Sequence, residues 1–438
     1  MLPTRRFALL AAAVGVGLWF LPGEFDGSLL WPLLAVNLLL LLVGAADALA
    51  AVKPGLLVVS RDHPPVVVMG NRAHLTWTVQ NTGPRAARFV LADELADSLG
   101  ADTRRAGAHL AAGATATLTT SFRPTRRGRF TISEVVMRST GPLGLMTRQH
   151  RRQVPTVLRI HPPFKSRDEA ELRIRKGRIL EVGLRSARGL GGGTEFEQLR
   201  EYTADDEFRR VDWAASARAG KPIVRTYRPE RNQTVMVLLD NGRLMAAQVD
   251  GVPRLEHAMD ATIMLTAVAS GLGDKIGLVT FDQQVRSIVA PARHGHQVSR
   301  VTEAMFELEP VLAESDYQEA FRQTLVRFRR RALLVILTDL APGAVTDSLI
   351  PALPMILRNN LVVIGAVRDP EVAHWSEGVV VDAAQTFRRS AAVAAVDDRE
   401  RLVARLRGMG ATVVDAVPGK LAPALADVYL HVKNTGRL

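Results

Sequence analysis

The sequence predicts a multidomain chain. An N-terminal two-helix transmembrane hairpin leads into a small β-sandwich, and a C-terminal α/β doubly wound domain follows. Three observations carry this. Two apolar runs occur before residue 47. Short alternating segments from 55 to about 160 are cut by Gly, Pro and Asn. From Thr234 onward, short runs of Val, Ile and Leu alternate with helical patterns. The expected divisions are 1–53 for the hairpin, 54–162 for the β-sandwich, 163–232 for a charged linker and 233–438 for the α/β domain.

The first apolar run, Phe7 to Leu21, follows Arg5 and Arg6, and the second extends from Leu29 to about Ala46. Each is roughly 15–18 residues, near the lower limit for crossing a bilayer. The break between them, "PGEFDGS", carries only acids, and Trp19, Phe20 and Trp31 flank it as an interfacial aromatic belt would. A cleaved signal peptide would explain the first run alone; the second, so close behind, favours a hairpin. Arg5 and Arg6 before the pair, and Lys53 and Arg61 after it, place both ends in the cytoplasm by the positive-inside rule. The expected location is the inner (cytoplasmic) membrane, with the soluble domains facing the cytoplasm. Asn37 is the strongly polar side chain of the second span, a modest sign of helix association.

Composition narrows the function classes. Among 438 residues there is no cysteine, which excludes a disulfide framework, a thiol nucleophile and Cys-ligated metal. A formal net charge of +12 points to anionic surfaces, with lipid headgroups favoured over nucleic acid. Aromatics are 5% of the chain, poor material for base stacking, so nucleic acid is not the expected partner.

In the β-rich block, "PPVVVMGNRAHLTWTVQNTG" places two short segments around a Gly-Asn turn. "GATATLTTSFRPTRRGRFTI" alternates before Pro124 and Gly128, and "TVLRIHP" closes the block. Such spacing fits a small sandwich, and Arg126, Arg127 and Arg129 read as a solvated turn. The next segment is basic and then glycine-rich. "GLGGGTEF" lacks the Lys-Ser or Lys-Thr of a P-loop and has no strand before it, so it reads as a hinge. Beyond it both signs of charge crowd together among Phe196, Leu199, Tyr202, Phe208, Val211 and Trp213. Abundant Arg there would keep any carboxylate pair ionised, which argues against catalysis.

"EFEQLREYTADDEFRRVDWAASAR", followed by "YRPERNQTVMVLLD", resembles the signature of a bacterial membrane protein family catalogued as domain of unknown function 58. The residues that match are Glu195, Phe196, Leu199, Arg200, Tyr202, Asp206, Arg209, Asp212, Trp213, Ser216 to Arg218, and Pro229 to Arg231 with Glu230 between. Asp205 replaces the family's Gly before Asp206. "RRGRFTI" and "GPLGL" also look like the family's β-domain. The resemblance implies a two-helix anchor, a β-sandwich, a von Willebrand factor A-like domain and a MoxR-type AAA+ ATPase as partner.

The last domain reads independently as alternating strands ("TVMVLLD", "IGLVTFD", "ALLVILTDL", "LVVIGAVRD", "ATVVDAV") and helices, with "VRSIVAPAR" as an antiparallel edge strand. Asp240, Asp282, Asp339 and Asp369 end strands at one sheet edge, where ligands sit in such folds. The resemblance implies a metal-ion-dependent adhesion site there, with Asp-x-Ser-x-Ser as its first motif. Here that motif is Asp240-Asn241-Gly242-Arg243-Leu244, and both serine hydroxyls are gone. Ser315 stands in for the threonine and Asp339 matches the last carboxylate. The expectation is no resident cofactor, with Arg243 pairing to Asp240 or Asp339 where an ion would sit. Mg²⁺ with a water-completed shell is the alternative. His294 and His296 read as a solvated loop.

These readings converge on a membrane-anchored, non-enzymatic scaffold or adaptor. Its partner-binding edge would include Asn241, Arg243 and Asp282, and its protein partner would be a MoxR-type ATPase. The rivals are a metal-dependent protein-binding module, a hydrolase, for which no activated nucleophile is found, and a basic nucleic-acid-binding membrane protein.

Overall fold

Alternation of buried and exposed residues builds the first of two units, Met1–His161; the second is Pro162–Leu438. The computed structural model describes residues 1–19, 30–187, 195–203, 206, 208–228, 233–293 and 295–435. The "PGEFDGS" break, the glycine-rich hinge, Asp205, Pro229 to Arg231 (Glu230 included) and His294 lie outside the described residues.

In the first unit, β1 (Leu2–Pro3), α1 (Arg5–Trp19) and α2 (Leu30–Ala50) precede strands β2 (Leu57–Asp62), β3 (Val66–Val68), β4 (Ala73–Asn81), β5 (Ala87–Asp93), β6 (Arg105–Leu110), β7 (Thr115–Phe122), β8 (Gly128–Thr140) and β9 (Met146–His161). One sheet is ordered β2-β4-β7; the other is β1-β9-β8-β5-β6, with β3 added parallel to β9. In β4, Ala73, Leu75, Trp77 and Val79 turn inward, as do Ala87, Phe89 and Leu91 in β5, so both sheets contribute to one shared core. Within it Asp93 accepts from Arg61 Nε at 2.9 Å, from Arg61 Nη2 at 2.6 Å and from Trp77 Nε1 at 2.6 Å. Arg61, expected to flank the membrane, is thus buried, because Asp93 on the neighbouring sheet needs a fork of donors.

Among the described residues only α2 is long and apolar enough to cross a membrane; α1 has 15 residues. The start of α1 and the end of α2 are fastened to the same turn. Leu2 pairs with Thr147, and Thr4 N–H donates to Leu145 O at 2.9 Å. Asp47, buried near the end of α2, accepts from the N–H groups of Leu143 (2.7 Å), Leu145 (2.8 Å) and Met146 (2.8 Å).

The second unit begins with α3 (Arg167–Ala187). A small module follows: β10 (Glu195–Glu201), α4 (Trp213–Ala219) and β11 (Ile223–Arg228), with β10 and β11 antiparallel. Then come β12 (Thr234–Asp240), β13 (Gln248–Val249), β14 (Val252–Pro253), α5 (Arg254–Gly271), β15 (Lys275–Phe281), β16 (Val285–Ala292), α6 (Gln297–Met305), α7 (Tyr317–Arg327), β17 (Leu333–Leu337), α8 (Pro342–Ala344), α9 (Ile350–Leu357), β18 (Leu361–Val367), α10 (Pro370–Glu377), α11 (Ala383–Gly408), β19 (Thr412–Ala416) and α12 (Leu421–Thr435). The sheet order is β16-β15-β12-β17-β18-β19, parallel except for β16. Strand periodicity sends Val235, Val237 and Leu239 to the core under α5 and α12, and Met236 and Leu238 to the core under α7 and α9. Both faces are covered, so β12 is apolar throughout.

The first portion of the charged linker of 163–232, which the sequence allows to be helical or flexible, forms the helix α3, whose Ala170, Ile174 and Gly177 pack on α5 and α12. The helix read from "DDRERLVARLRGMG" begins earlier, at Ala383, capped by Asp382. Its first turns, "AAQTFRRSA", are alanine-rich but exposed all round, so they favour helix without showing an apolar period.

Replacing Asp47 with Ala removes the acceptor of three backbone amides at the turn. The expected result is faster hydrogen exchange at Leu143, Leu145 and Met146 and a loss of about 2–4 kcal/mol in the first unit. Exchange mass spectrometry on the full chain in detergent, with urea unfolding alongside, checks both.

Candidate functional site

The parallel strands bring Asp240, Asp282 and Asp339 to the carboxyl edge of the sheet, where the first crossover runs one way from β12 and the later strands lie the other way. All three are buried, at 1%, 0% and 4% exposure. Each is compensated differently.

Asp240 is held by uncharged donors. Its Oδ1 accepts the Gly242 N–H at 2.8 Å and the Ser315 hydroxyl; its Oδ2 lies 2.9 Å from the Tyr317 hydroxyl and 2.6 Å from that of Thr338. Tyr317 and Thr338 are themselves 2.7 Å apart. Burial pushes the Asp240 carboxyl up from its ordinary value, against the pull of these donors. Gly242 is a spatial requirement: a Cβ there would overlap Ser315 Oγ and come within 3.0 Å of Ala313 O. The Ser315 hydroxyl therefore occupies the space beside the position where the adhesion motif has its first serine.

Asp339 is held by two cations from distant helices. Arg254, at the start of α5, places Nη1 3.1 Å from Oδ2, and Arg399 in α11 places Nη1 3.3 Å from Oδ1. Arg399 also grips Asp415 through two bonds of 2.9 Å. Arg243 pairs with neither Asp240 nor Asp339: its backbone bond to Ala313 turns the side chain outward, and it joins Glu314 at the surface. Asp282 accepts from Asn241 Nδ2 at 2.9 Å and Arg286 Nε at 2.6 Å. Burial works to raise its pKa, yet the donors from Arg286, Gln284 and Asn241 outweigh it and hold the carboxyl below its ordinary value. Asn241 and Asp282, expected on a partner-binding edge, are thus tied together beneath the surface, and Arg243 is the one of the three that reaches solvent. Asp369 caps α10 through the Glu371 N–H. Ser315 and Tyr317 line a cavity of about 630 Å³ with Glu314, Asp316 and Asp347.

The motif between β10 and β11 forms its own lattice. Arg200 pairs with Asp206, which also takes the Thr203 N–H at 2.9 Å. Asp212 caps α4 through Ala215 N–H and accepts Arg225 Nε at 2.7 Å. Ser216 Oγ donates to Asp212 O at 2.7 Å and accepts from Ile223 N–H at 2.8 Å, locking helix to hairpin. Arg218 Nε donates back to Ala214 O. Glu195 and Phe196 pair with Arg228 and Tyr227 along the strands, and the Tyr202 N–H donates to Pro222 O. Trp213, edge-on to Phe208 at 5.4 Å, stays 62% exposed, and Leu199 and Arg209 are exposed as well. The structure therefore gathers Asp240 with Ser315, keeps Asp339 in a separate arginine clamp and leaves the motif as a module apart.

Tyr317, Thr338, Arg254 and Arg399 were not singled out in the sequence. Thr338 sits beside Asp339 at a strand end and Tyr317 follows the Asp316 cap, both local signals. Arg399 lies 60 residues from Asp339, with nothing local to connect them. Among the described residues no group of three or more His, Asp or Glu is arranged to hold a metal ion.

Residues 198–382 match the family described as "Protein of unknown function DUF58". Uncharacterized proteins of Mycobacterium tuberculosis and Mycobacterium bovis are 27% identical over 244 residues, 54% of this chain and 75% of each relative. Among solved structures, the conserved hypothetical protein BatB from Bacteroides thetaiotaomicron is 15% identical with a TM-score of 0.30, covering 46% of this chain and 99% of that one. A CARDB domain from Pyrococcus furiosus, solved with di-metal ions, is 14% identical with a TM-score of 0.18, covering 24% of this chain and 86% of that one.

Gly242→Ala is expected to cost about 1–3 kcal/mol by overpacking against Ser315. In a Ser315→Ala background the same change should cost clearly less, and equal costs in both backgrounds would refute the packing account. Arg399→Ala, which strips Asp415 and half of the Asp339 clamp, should cost about 3–5 kcal/mol. Arg399→Lys should recover only part of this, because an ammonium cannot reproduce the two-bond fork. Urea unfolding measures all of these.

Proposed function

We propose that this DUF58 protein is a membrane-anchored, non-enzymatic scaffold whose von Willebrand factor A-like unit offers the carboxyl edge of its sheet to a protein partner, a MoxR-type AAA+ ATPase. One observation carries the reading: the strand-end carboxylates are spent on internal partners, while the loop beside them stays open. Asp240 already accepts from four protein donors, and Asp339 faces two guanidinium groups. An Mg²⁺ ion would have to displace Ser315 from Asp240 and an arginine from Asp339, so these residues do not fit the ion. Buried and compensated in this way, neither carboxylate is free to act as a nucleophile or base. Leu312, 83% exposed, and the exposed Arg243–Glu314 pair are instead the surface groups of this edge.

The central first strand, the antiparallel edge strand and the helices on both faces support the von Willebrand factor A-like assignment. The fastening of both helices to the turn at Gly141–Met146 supports a hairpin whose ends emerge on one side, below a β-sandwich. Arg5, Arg6 and Lys53, with the absence of cysteine, support a cytoplasmic placement. The ATPase as partner rests on the family resemblance.

Affinity capture of the detergent-solubilised full chain from its host, with Mg²⁺ or with chelator, tests this. The expected outcome is an AAA+ ATPase retained in both buffers and retained equally by Asp240→Ala. It should be lost from the Leu312→Asp/Arg243→Glu variant. Retention that needs both Mg²⁺ and Asp240 would favour the metal-dependent module, and absence of any ATPase would sink the proposal.

A further inference from the structure

We propose that the outer face of α3 docks on an anionic lipid surface, an inference that rests on the membrane-anchored reading above. The helix has two distinct faces. Its inner face carries Ala170, 1% exposed, together with Ile174 and Gly177. At Gly177 a Cβ would lie 2.9 Å from Leu272 and 3.2 Å from Leu430, so the helix backbone lies close against α5 and α12. The outer face carries Leu172 and Ile179, 64% and 71% exposed, with Arg175 and Lys176 exposed between them. At 3.6 residues per turn these four share one side of the helix.

The charges sort along the axis. In the first turns Glu171 pairs with Arg167, and Glu169 pairs with Arg173, which also grips Asp427. Arg178 reaches back to Gly271 O. Asp168 shares the outer face one turn before Leu172. Beyond it, Arg175 and Lys176 have no carboxylate partner among the described residues. The result is an exposed stretch with two unpaired cations set between two aliphatic side chains. An amphipathic helix of this kind lies in a membrane interface, its cations at the lipid phosphates and its aliphatic groups at the headgroup–acyl boundary. The chain's own bilayer-length helix, α2, favours this occupant over a soluble acidic protein, because tethering holds the second unit at high local concentration near the lipid.

The chain has no cysteine, so a single introduced one is a unique site for a spin label. The experiment places the label at Ile179→Cys, with Val326→Cys, 60% exposed on α7, as the reference. Full-length protein is reconstituted into nanodiscs of phosphatidylcholine alone or mixed with phosphatidylglycerol. Collision with oxygen and with a water-soluble nickel chelate reports the label's depth. In the anionic discs the Ile179 label should become oxygen-accessible and nickel-protected, while the Val326 label stays aqueous. In phosphatidylcholine alone the Ile179 label should stay largely aqueous. Arg175→Gln and Lys176→Gln should each lower the docked-to-undocked ratio about fivefold.

An aqueous Ile179 label in anionic discs, with the protein incorporated, overturns the docking and leaves the anchor standing. Protection that is the same in both lipids and in detergent overturns it in favour of a protein contact. Failure of the chain to enter either disc overturns the anchored reading and the docking with it.

Discussion

The second unit depends on one constraint: a parallel sheet covered on both faces ends in carboxylates that water cannot solvate. An ionised carboxylate removed from water without compensation costs several kcal/mol. The fold meets this at each strand end with whatever donors its loops and helices bring near. β12 uses hydroxyls and a backbone amide, β17 uses two arginines, and β15 uses an arginine and an amide. These solutions also organise the surrounding chain. Holding Asp240 fixes Ser315 and the start of α7. Holding Asp339 ties the start of α5 to α11, and Arg399 extends the tie to Val367 O and Asp415 on the next two strands.

The same compensation shapes what the edge can do. A seat for a divalent cation needs oxygens with lone pairs turned outward and no resident cation beside them. Here the Ser315 hydroxyl donates its hydrogen bond to Asp240, and guanidinium groups stand on both sides of Asp339. Under the proposed function, recognition at this edge would depend on shape and on side chains outside the cage, such as Leu312, Arg243 and Glu314. That chemistry suits a protein surface better than a small substrate, which needs convergent free polar groups in a closed pocket.

Much of this architecture was legible in the sequence because it rests on short-range periodicity. Unbroken apolar strands, their alternation with helices and the antiparallel "VRSIVAPAR" are local patterns, and so are the inward residues of β4 and β5. The convergence of Asp240, Asp282 and Asp339 followed from topology alone. What escaped was the choice among charged partners. Arg243 stands three residues from Asp240, yet its backbone directs it to Glu314. Arg399 reaches Asp339 across 60 residues. Arg61, flanking an apolar run, looked like a membrane-side cation until Asp93 on another strand claimed it. Pairing of long charged side chains depends on tertiary proximity, which sequence spacing does not carry.

Under the proposed scaffold role the protein must transmit position, so the stiffness of its attachments would matter as much as the surface it offers. In the first unit the helix long enough to cross a membrane does not end in a flexible tether. Asp47 closes on three amide donors of one turn, and β1 adds a strand to the same sheet. A buried side chain making three charge-assisted bonds to one turn resists rotation of the helix about its axis, which a single contact would not. The orientation of α2 is thereby passed to the β-sheet that continues through β9 to His161, where the second unit begins. A lipid contact through α3 would place a restraint on the second unit itself, and under the proposed scaffold role an edge of that unit so restrained would meet a partner with less orientational freedom to lose.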